Sequence, residues 1–432
     1  MMPGLWSAAR RWVGSAWPPL VAALVVGGTL WLAATPAGRN LELTTSAMQG
    51  PTLEQVRPSA SGEVDPRLAA AVDAILARRG IAVRTNNLGM FLADVAPELR
   101  VEQRLLFQNL RTVGVSPIFR RAEPWVDYEA VRRYGLATGT FRVSMRYQLA
   151  GAKLAPAATD VGYTYTVRDN RLYLVADDDL DQAIGAKRQP WDFGRVEVVR
   201  RKNVLVIVDQ GQGALAQKLA NQTVQMARQV RKLWKGHLQV VPVIVAMREP
   251  QVLTDMPPTL PGDEPARVQP MPGPGISGLP VGGYVVIRPG AQSTFDSAQM
   301  THVLLHLLPV KMGELVPRWL AEGIAEYGEN LQLAATGRGA AVAKARSEVS
   351  REVLGELTRL PADDEFTTTQ SYDISWLAVE HLIKEVGIKP VTDFYFQVGR
   401  RGYSQAARER LMQEYTGFTE ETLVESLRSL AG

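Results

Sequence analysis

Apolar residues are distributed along the chain in three regimes. The first is an uncharged run from Trp12 to Gly38 with an apolar centre at Leu20 to Ala34, preceded by Arg10 and Arg11. The second, Asn40 to Asp65, is rich in Thr, Ser, Pro, Gly and Gln and has no sustained apolar period, which predicts a linker. The third begins at Pro66 and alternates between helical and strand spacing. Leu68, Val72, Ile75 and Leu76 recur at helical spacing, as do Leu105, Leu106, Phe107, Leu110 and Val113 in a second helix near Val101 to Val113. Phe141, Val143, Met145, Tyr147 and Leu149 alternate as a half-buried strand requires. Tyr163 to Val167 and Leu172 to Val175 flank Asp169-Asn170, a turn pair suited to a hairpin. Helices followed by antiparallel strands predict a small α+β domain with a curved sheet around a helix.

Gln189-Pro190-Trp191-Asp192 marks a boundary, and a second series follows it. Val204 to Val208 predicts a strand. Ala214 to Trp234 predicts an amphipathic helix with Leu219, Thr223, Met226, Val230 and Leu233 on one stripe. Leu238 to Met247 predicts a second strand. Pro250 to Gly283 is dense in proline and glycine and predicts a long surface loop. Tyr284 to Ile287 predicts a short third strand. Gln299 to Leu308 predicts an apolar helix closed by Pro309, and Pro317 opens another over Arg318 to Leu333. Further helices are predicted at Asp373 to Val386 and Ser404 to Tyr415. The resulting division is 1–39 signal anchor or signal peptide, 40–65 linker, 66–190 small α+β domain, and 191–432 larger α+β domain.

Composition narrows the function classes. A chain of 432 residues with 46% hydrophobic residues has material for two or three domains. Its net charge of +4 is spread along the chain and gives no nucleic-acid footprint. The absence of cysteine removes disulfides, a thiol nucleophile, cysteine-ligated zinc and a lipoprotein anchor. Arginines before the apolar run predict an N-terminus inside and the bulk outside the membrane. A cleaved signal peptide would lead to secretion, and an uncleaved anchor to a single-pass membrane protein. The poor A-x-A pattern and Pro36 favour the anchor.

The candidate chemistry lies in the histidines, of which there are four: His237, His302, His306 and His381. His302 and His306 stand one helical turn apart, so both imidazoles share a face and can bind one zinc ion. Such a pair in an apolar helix is often simply packed. The segment Trp319-Leu320-Ala321-Glu322-Gly323-Ile324-Ala325-Glu326-Tyr327 adds an acid that the fold-back between Pro309 and Pro317 can bring to the pair. Glu322 would be the third ligand, and Glu326 would accept the free N–H of an imidazole. His237 reads as exposed at a strand entrance and His381 as packed or at a helix edge. Asp177, Asp178 and Asp179 read as a solvated strand end rather than a cation site.

Residues 200–430 resemble the gluzincin metallopeptidases, in particular the bacterial group with a peptidase-MA-like domain. The resemblance is carried by His302, His306, Trp319-Leu320-Ala321-Glu322-Gly323 and the order of strands and helices. It implies a zincin-like domain with zinc on His302, His306 and Glu322 and a second acid, Glu326, behind a ligand. It implies an edge strand at Tyr284, Val285, Val286 and Ile287 that holds an extended peptide, and an oxyanion-steadying role for Tyr372. Residues 66–190 resemble a nuclear-transport-factor-like cone and the domain that precedes such peptidases in actinobacterial membrane-anchored proteins. The departure lies in the family motif H-E-x-x-H, whose glutamate is the general base. Here the segment reads His302-Val303-Leu304-Leu305-His306, and valine cannot accept a proton. Losing a positioned base costs roughly two to four powers of ten in rate. The expected function is therefore a membrane-anchored, catalytically impaired peptidase homologue that binds a peptide, a protein or a metal. Two alternatives stand beside it: a zinc hydrolase with atypical water activation, and an interaction module carried by residues 66–190.

Overall fold

The computed structural model describes residues 65–125, 127–151, 154–234, 241–248, 264–274, 279–310, 315–335 and 353–430. The apolar N-terminal run, residues 40–64 of the linker, His237 and Glu314, an acid of the turn between Pro309 and Pro317, lie outside the described residues. Among the described residues no helix is long and apolar enough to cross a membrane. The class is α+β, in two lobes.

The N-terminal lobe starts with helix α1 (Pro66–Thr85), capped by the Asp65 carboxylate, then α2 (Leu88–Leu92) and α3 (Arg100–Val113). Strand β1 (Val115–Trp125), helix α4 (Tyr128–Tyr134) and strands β2 (Thr138–Leu149), β3 (Ala157–Arg168) and β4 (Arg171–Ala176) complete it. The four strands form an antiparallel sheet in chain order. Leu68, Val72, Ile75 and Leu76 of α1 and Phe141, Val143, Met145 and Tyr147 of β2 are buried, as their spacing predicts. Asp169 and Asn170 both take positive φ, 49° and 57°, the backbone a two-residue hairpin with matching twist needs. Strand β1 escaped the sequence reading because Pro117 and Pro124 interrupt its pattern. It is an edge strand, where proline is tolerated. Of the three aspartates at the end of β4, two are engaged within the protein and Asp178 is exposed. Asp177 accepts from Gln103 and Asp179 pairs with Arg133.

After α5 (Asp181–Ile184) the chain crosses into the second lobe. Strands β5 (Val196–Arg201) and β6 (Val204–Asp209) form a hairpin, helix α6 (Gly213–Trp234) crosses over, and β7 (Val243–Ala246) lies parallel to β6. Strands β8 (Ala266–Pro272) and β9 (Pro280–Ile287) follow, and the order is β5-β6-β7-β9-β8. Two expectations are corrected here. The stretch expected to be one long loop contains β8. Tyr284 to Ile287 are not an edge, because β9 pairs with β7 on one side and with β8 on the other. Both hydrogen-bonding rows of β9 are filled, and all four side chains are buried, so they cannot hold a peptide.

The expected boundary at Gln189 to Asp192 is a packed joint. Gln189 Oε1 accepts from the Tyr147 and Tyr284 hydroxyls at 3.2 and 3.1 Å, and those hydroxyls lie 3.0 Å apart. The buried Trp191 meets the Tyr147 ring edge-on. The Asn109 amide on α3 donates to the carbonyls of Trp191, Phe193 and Gly194. Buried hydrogen bonds through Gln189 and Asn109, with the packed Trp191 ring between them, hold the two lobes in one arrangement.

The remaining helices build one side of the second lobe: α7 (Ser297–Leu307), α8 (Arg318–Ala335), α9 (Thr369–Val386), α10 (Ile388–Arg401), α11 (Gln405–Thr416) and α12 (Glu420–Ser429). A capping box of Asp296 and Gln299 starts α7. Helix α8 lies between α7 and α9, and two glycines allow its close approach. A Cβ at Gly328 would meet Leu305 of α7, and one at Gly323 would run into the Ser375 carbonyl and Val379 of α9. Helix propensity favours alanine over glycine by about 0.5–1 kcal/mol, but a backbone oxygen cannot swing aside as a side chain can. Gly323→Ala is therefore expected to lower stability by about 1–2 kcal/mol net in urea unfolding. Gly355→Ala, where a Cβ meets nothing, should stay within about 0.5 kcal/mol.

Candidate metal centre

Helix α7 is buried over Ala298, Met300, Thr301, Val303, Leu304, Leu305 and Leu307, so its two histidines are the polar interruption of an apolar element. Their spacing turns both rings toward α8, and the Nε2 atoms lie 3.2 Å apart. Glu322 meets them from α8. Its Oε2 lies 3.2 Å from His306 Nε2 and 3.7 Å from His302 Nε2. Four tetrahedral ligands at 2.0–2.1 Å from zinc stand about 3.3–3.4 Å apart. The three donor atoms thus already sit at nearly the separations one ion requires, and the N,N,O set is one that zinc accepts. His302 and His306 keep 19% and 24% of their side-chain surface exposed, so a further ligand can reach the centre.

The acid behind His302 differs from the one expected. His302 Nδ1 lies 2.9 Å from Glu329 Oε2 and 3.8 Å from Glu326 Oε1. Glu329 is the nearer acceptor because it lies seven residues beyond Glu322, two full turns along the same face. Its approach to Nδ1 is oblique, short of an aligned hydrogen bond. Arg318, Glu322, Glu326 and Glu329 form a stripe at i, i+4, i+8 and i+11 along one face of α8.

Arg318 is a further residue the sequence reading missed. Its Nε lies 3.5 Å from Glu322 Oε1, which leaves Oε2 for the histidines. The guanidinium stands over the Phe366 ring and donates to the Asp363 carbonyl at 3.3 Å and to the Tyr372 hydroxyl at 3.2 Å. Tyr372 donates in turn to Glu264 Oε1 at 3.0 Å, just before β8. Tyr372 therefore reaches the centre's surroundings, but its hydroxyl is tied between Arg318 and Glu264. His381 packs edge-on against Phe418, in line with its expected packed role. Val303 is 4% exposed and contributes to the core.

The charges are strongly coupled. Burial opposes a charge on His302, yet the carboxylates of Glu322, Glu329 and Glu326 outweigh it and hold the imidazolium well above its ordinary range. Burial likewise opposes ionised Glu322, and the His306 and His302 rings overcome this and hold its carboxyl far below the usual value. Without metal, the protonated imidazole supplies the positive charge that the acids demand.

In comparison with known proteins, no family model matches the chain and no curated protein matches it in sequence.

Two outcomes follow for metal binding. Glu329→Gln should weaken zinc binding about 10- to 100-fold in chelator competition, with Glu326→Gln having the smaller effect, since removing an acid behind a ligating imidazole costs that much. Zinc must also displace the proton held on His302. Apparent affinity should therefore rise about tenfold per pH unit below the raised His302 value and level off above it. Calorimetry in two buffers of different ionisation enthalpy reads the proton released.

Proposed function

We propose that the protein is a membrane-anchored, extracytoplasmic, zincin-like metal protein that holds a peptide or protein ligand and cleaves it poorly or not at all. Zinc is the metal that the two imidazoles and one carboxylate favour, and the gluzincin resemblance points the same way. A zinc ion on His302, His306 and Glu322 would supply Lewis-acid polarisation of a ligand oxygen and would lower the pKa of water to about 7.

The observation that carries the reading is the surroundings of that triad. The residue beside His302, where a general base would stand, is the buried Val303. Glu326 and Glu329 face Nδ1, the ring nitrogen directed away from the triad, so neither is placed to take a proton on its open side. Arg318 lies beside Glu322 and offers guanidinium donors that orient a carbonyl or carboxylate without moving protons, while the Tyr372 hydroxyl, already donating to Glu264, steadies Arg318. An extended ligand would add to β8, the last strand in the sheet order, instead of β9. The hydrolase alternative needs a base that no described residue supplies beside the triad.

Zinc-loaded protein screened against a peptide library should capture peptides, as read by anisotropy, with no turnover beyond the metal-free control. Val303→Glu should gain zinc-dependent cleavage by roughly 10²–10⁴-fold, provided its melting profile shows a folded chain. Strong zinc-dependent cleavage by the unaltered protein would overturn the proposal.

A further inference from the structure

The two ends of the N-terminal lobe differ in chemistry. One end is the joint with the second lobe, where Tyr147 meets Tyr284 and Gln189. The other is where α1 begins, β1 ends, β2 begins and β3 turns into β4. Several contacts place these together. A Cβ at Gly139 would meet Leu68 of the first turn of α1, Trp125 pairs with Thr140, Thr138 pairs with Thr166, and Arg168 pairs with Arg171. Glu98, just before α3, reaches Arg168 at 2.7 Å, so α3 starts at this end as well.

This far end carries an unusual share of exposed apolar side chains. Val101 is 79% exposed, Tyr128 78%, Leu136 77% and Trp125 40%. Arg132 and Arg133 stand among them, paired with Glu129 and Asp179 yet with 73% and 67% of their side chains in solvent. Separate apolar and aromatic tips interspersed with long cationic side chains suit a lipid interface. There rings and aliphatic groups enter the headgroup zone while guanidinium groups stay with the phosphates.

The chain itself indicates which surface this end meets. The apolar run Leu20 to Ala34 precedes the lobe, and the chain enters the lobe at Pro66, at this same end. Residues 39–64 can span at most roughly 90 Å even if fully extended. A bilayer holding the run is therefore within tethered reach of Trp125, Tyr128 and Leu136.

We propose that this end of the N-terminal lobe sits in the interfacial zone of the bilayer that the N-terminal segment enters. The lobe then acts as a spacer that keeps the metal centre on its far side. The inference rests on the membrane-anchor reading. Along β2 the path from Thr138 to the joint at Tyr147 is roughly 30 Å, the height of the joint above the interface when β2 stands upright.

The chain has no cysteine, so Leu136→Cys accepts a single environment-sensitive fluorophore, and Tyr403→Cys on the second lobe serves as control. The full chain is reconstituted in vesicles of phosphatidylcholine and phosphatidylglycerol and checked by flotation. The label at 136 should shift to the blue and be quenched several-fold more by nitroxide-bearing lipid than the label at 403. Arg132→Ala with Arg133→Ala should weaken that quenching. Chain that floats with both labels in water would overturn the proposal while the anchor stands. Chain that neither floats nor shifts would overturn both. A blue shift at 136 without lipid that grows with protein concentration would assign this end to self-association and overturn the lipid contact.

Discussion

Five ionisable side chains, His302, His306, Glu322, Glu326 and Glu329, are gathered where helices α7 and α8 face each other, among largely buried apolar side chains. Removing that many charges from water is unfavourable by several kcal/mol per ion unless each finds a partner. Three carboxylates face two imidazoles, and Arg318 beside Glu322 offsets one of the three charges, so the cluster favours further positive charge at its centre. A proton on His302 supplies part of it and a divalent ion supplies more. The separations of 3.2, 3.2 and 3.7 Å among the three donor atoms suit the ion. Much of the second lobe can be understood as holding this cluster in register: the capping box that starts α7, the glycines that draw α8 against its neighbours, and Arg318 holding the second oxygen of Glu322.

The same cluster explains why a metal centre and a missing base can coexist. Ligation depends on the i, i+4 geometry of α7 and on the single turn of α8 that carries Glu322. Proton transfer depends on one further side chain beside His302, and that position has been given to the core as Val303. A scaffold with no use for metal would have little physical reason to bury two imidazoles against a carboxylate. The polar joint at Gln189 ties the sheet that underlies the centre to the N-terminal lobe, and β8 stands last in that sheet's order.

The elements of strongest periodicity were legible in the sequence. Helices α1, α3 and α6, strand β2 and the hairpin at Asp169-Asn170 lie within a few residues of where apolar spacing puts them. Strand β1 was hidden by its prolines, and β5 by being a short edge with only Val196 buried. Strand β8 was hidden because proline and glycine read as loop, whereas here they occupy an edge strand where a missing donor is harmless. That omission also misplaced the sheet edge onto β9. In the site, the triad was legible because helical geometry alone fixes His302 against His306. Glu322 required only the fold-back that the prolines suggest. Glu329, Arg318 and Glu264 were not found. The first two lie on the Glu322 face at whole-turn spacings, and the third depends on a tertiary contact that no local pattern encodes.

The central claim is that His302, His306 and Glu322 bind one metal ion together. Zinc K-edge absorption spectroscopy on the full chain, combined with metal analysis of the same sample, tests it most directly. The account predicts one zinc per chain with two imidazole nitrogens and one carboxylate oxygen at about 2.0–2.1 Å. It also predicts loss of one imidazole contribution in His306→Ala. No bound zinc, or a spectrum of oxygen ligands alone that His306→Ala leaves unchanged, would contradict it.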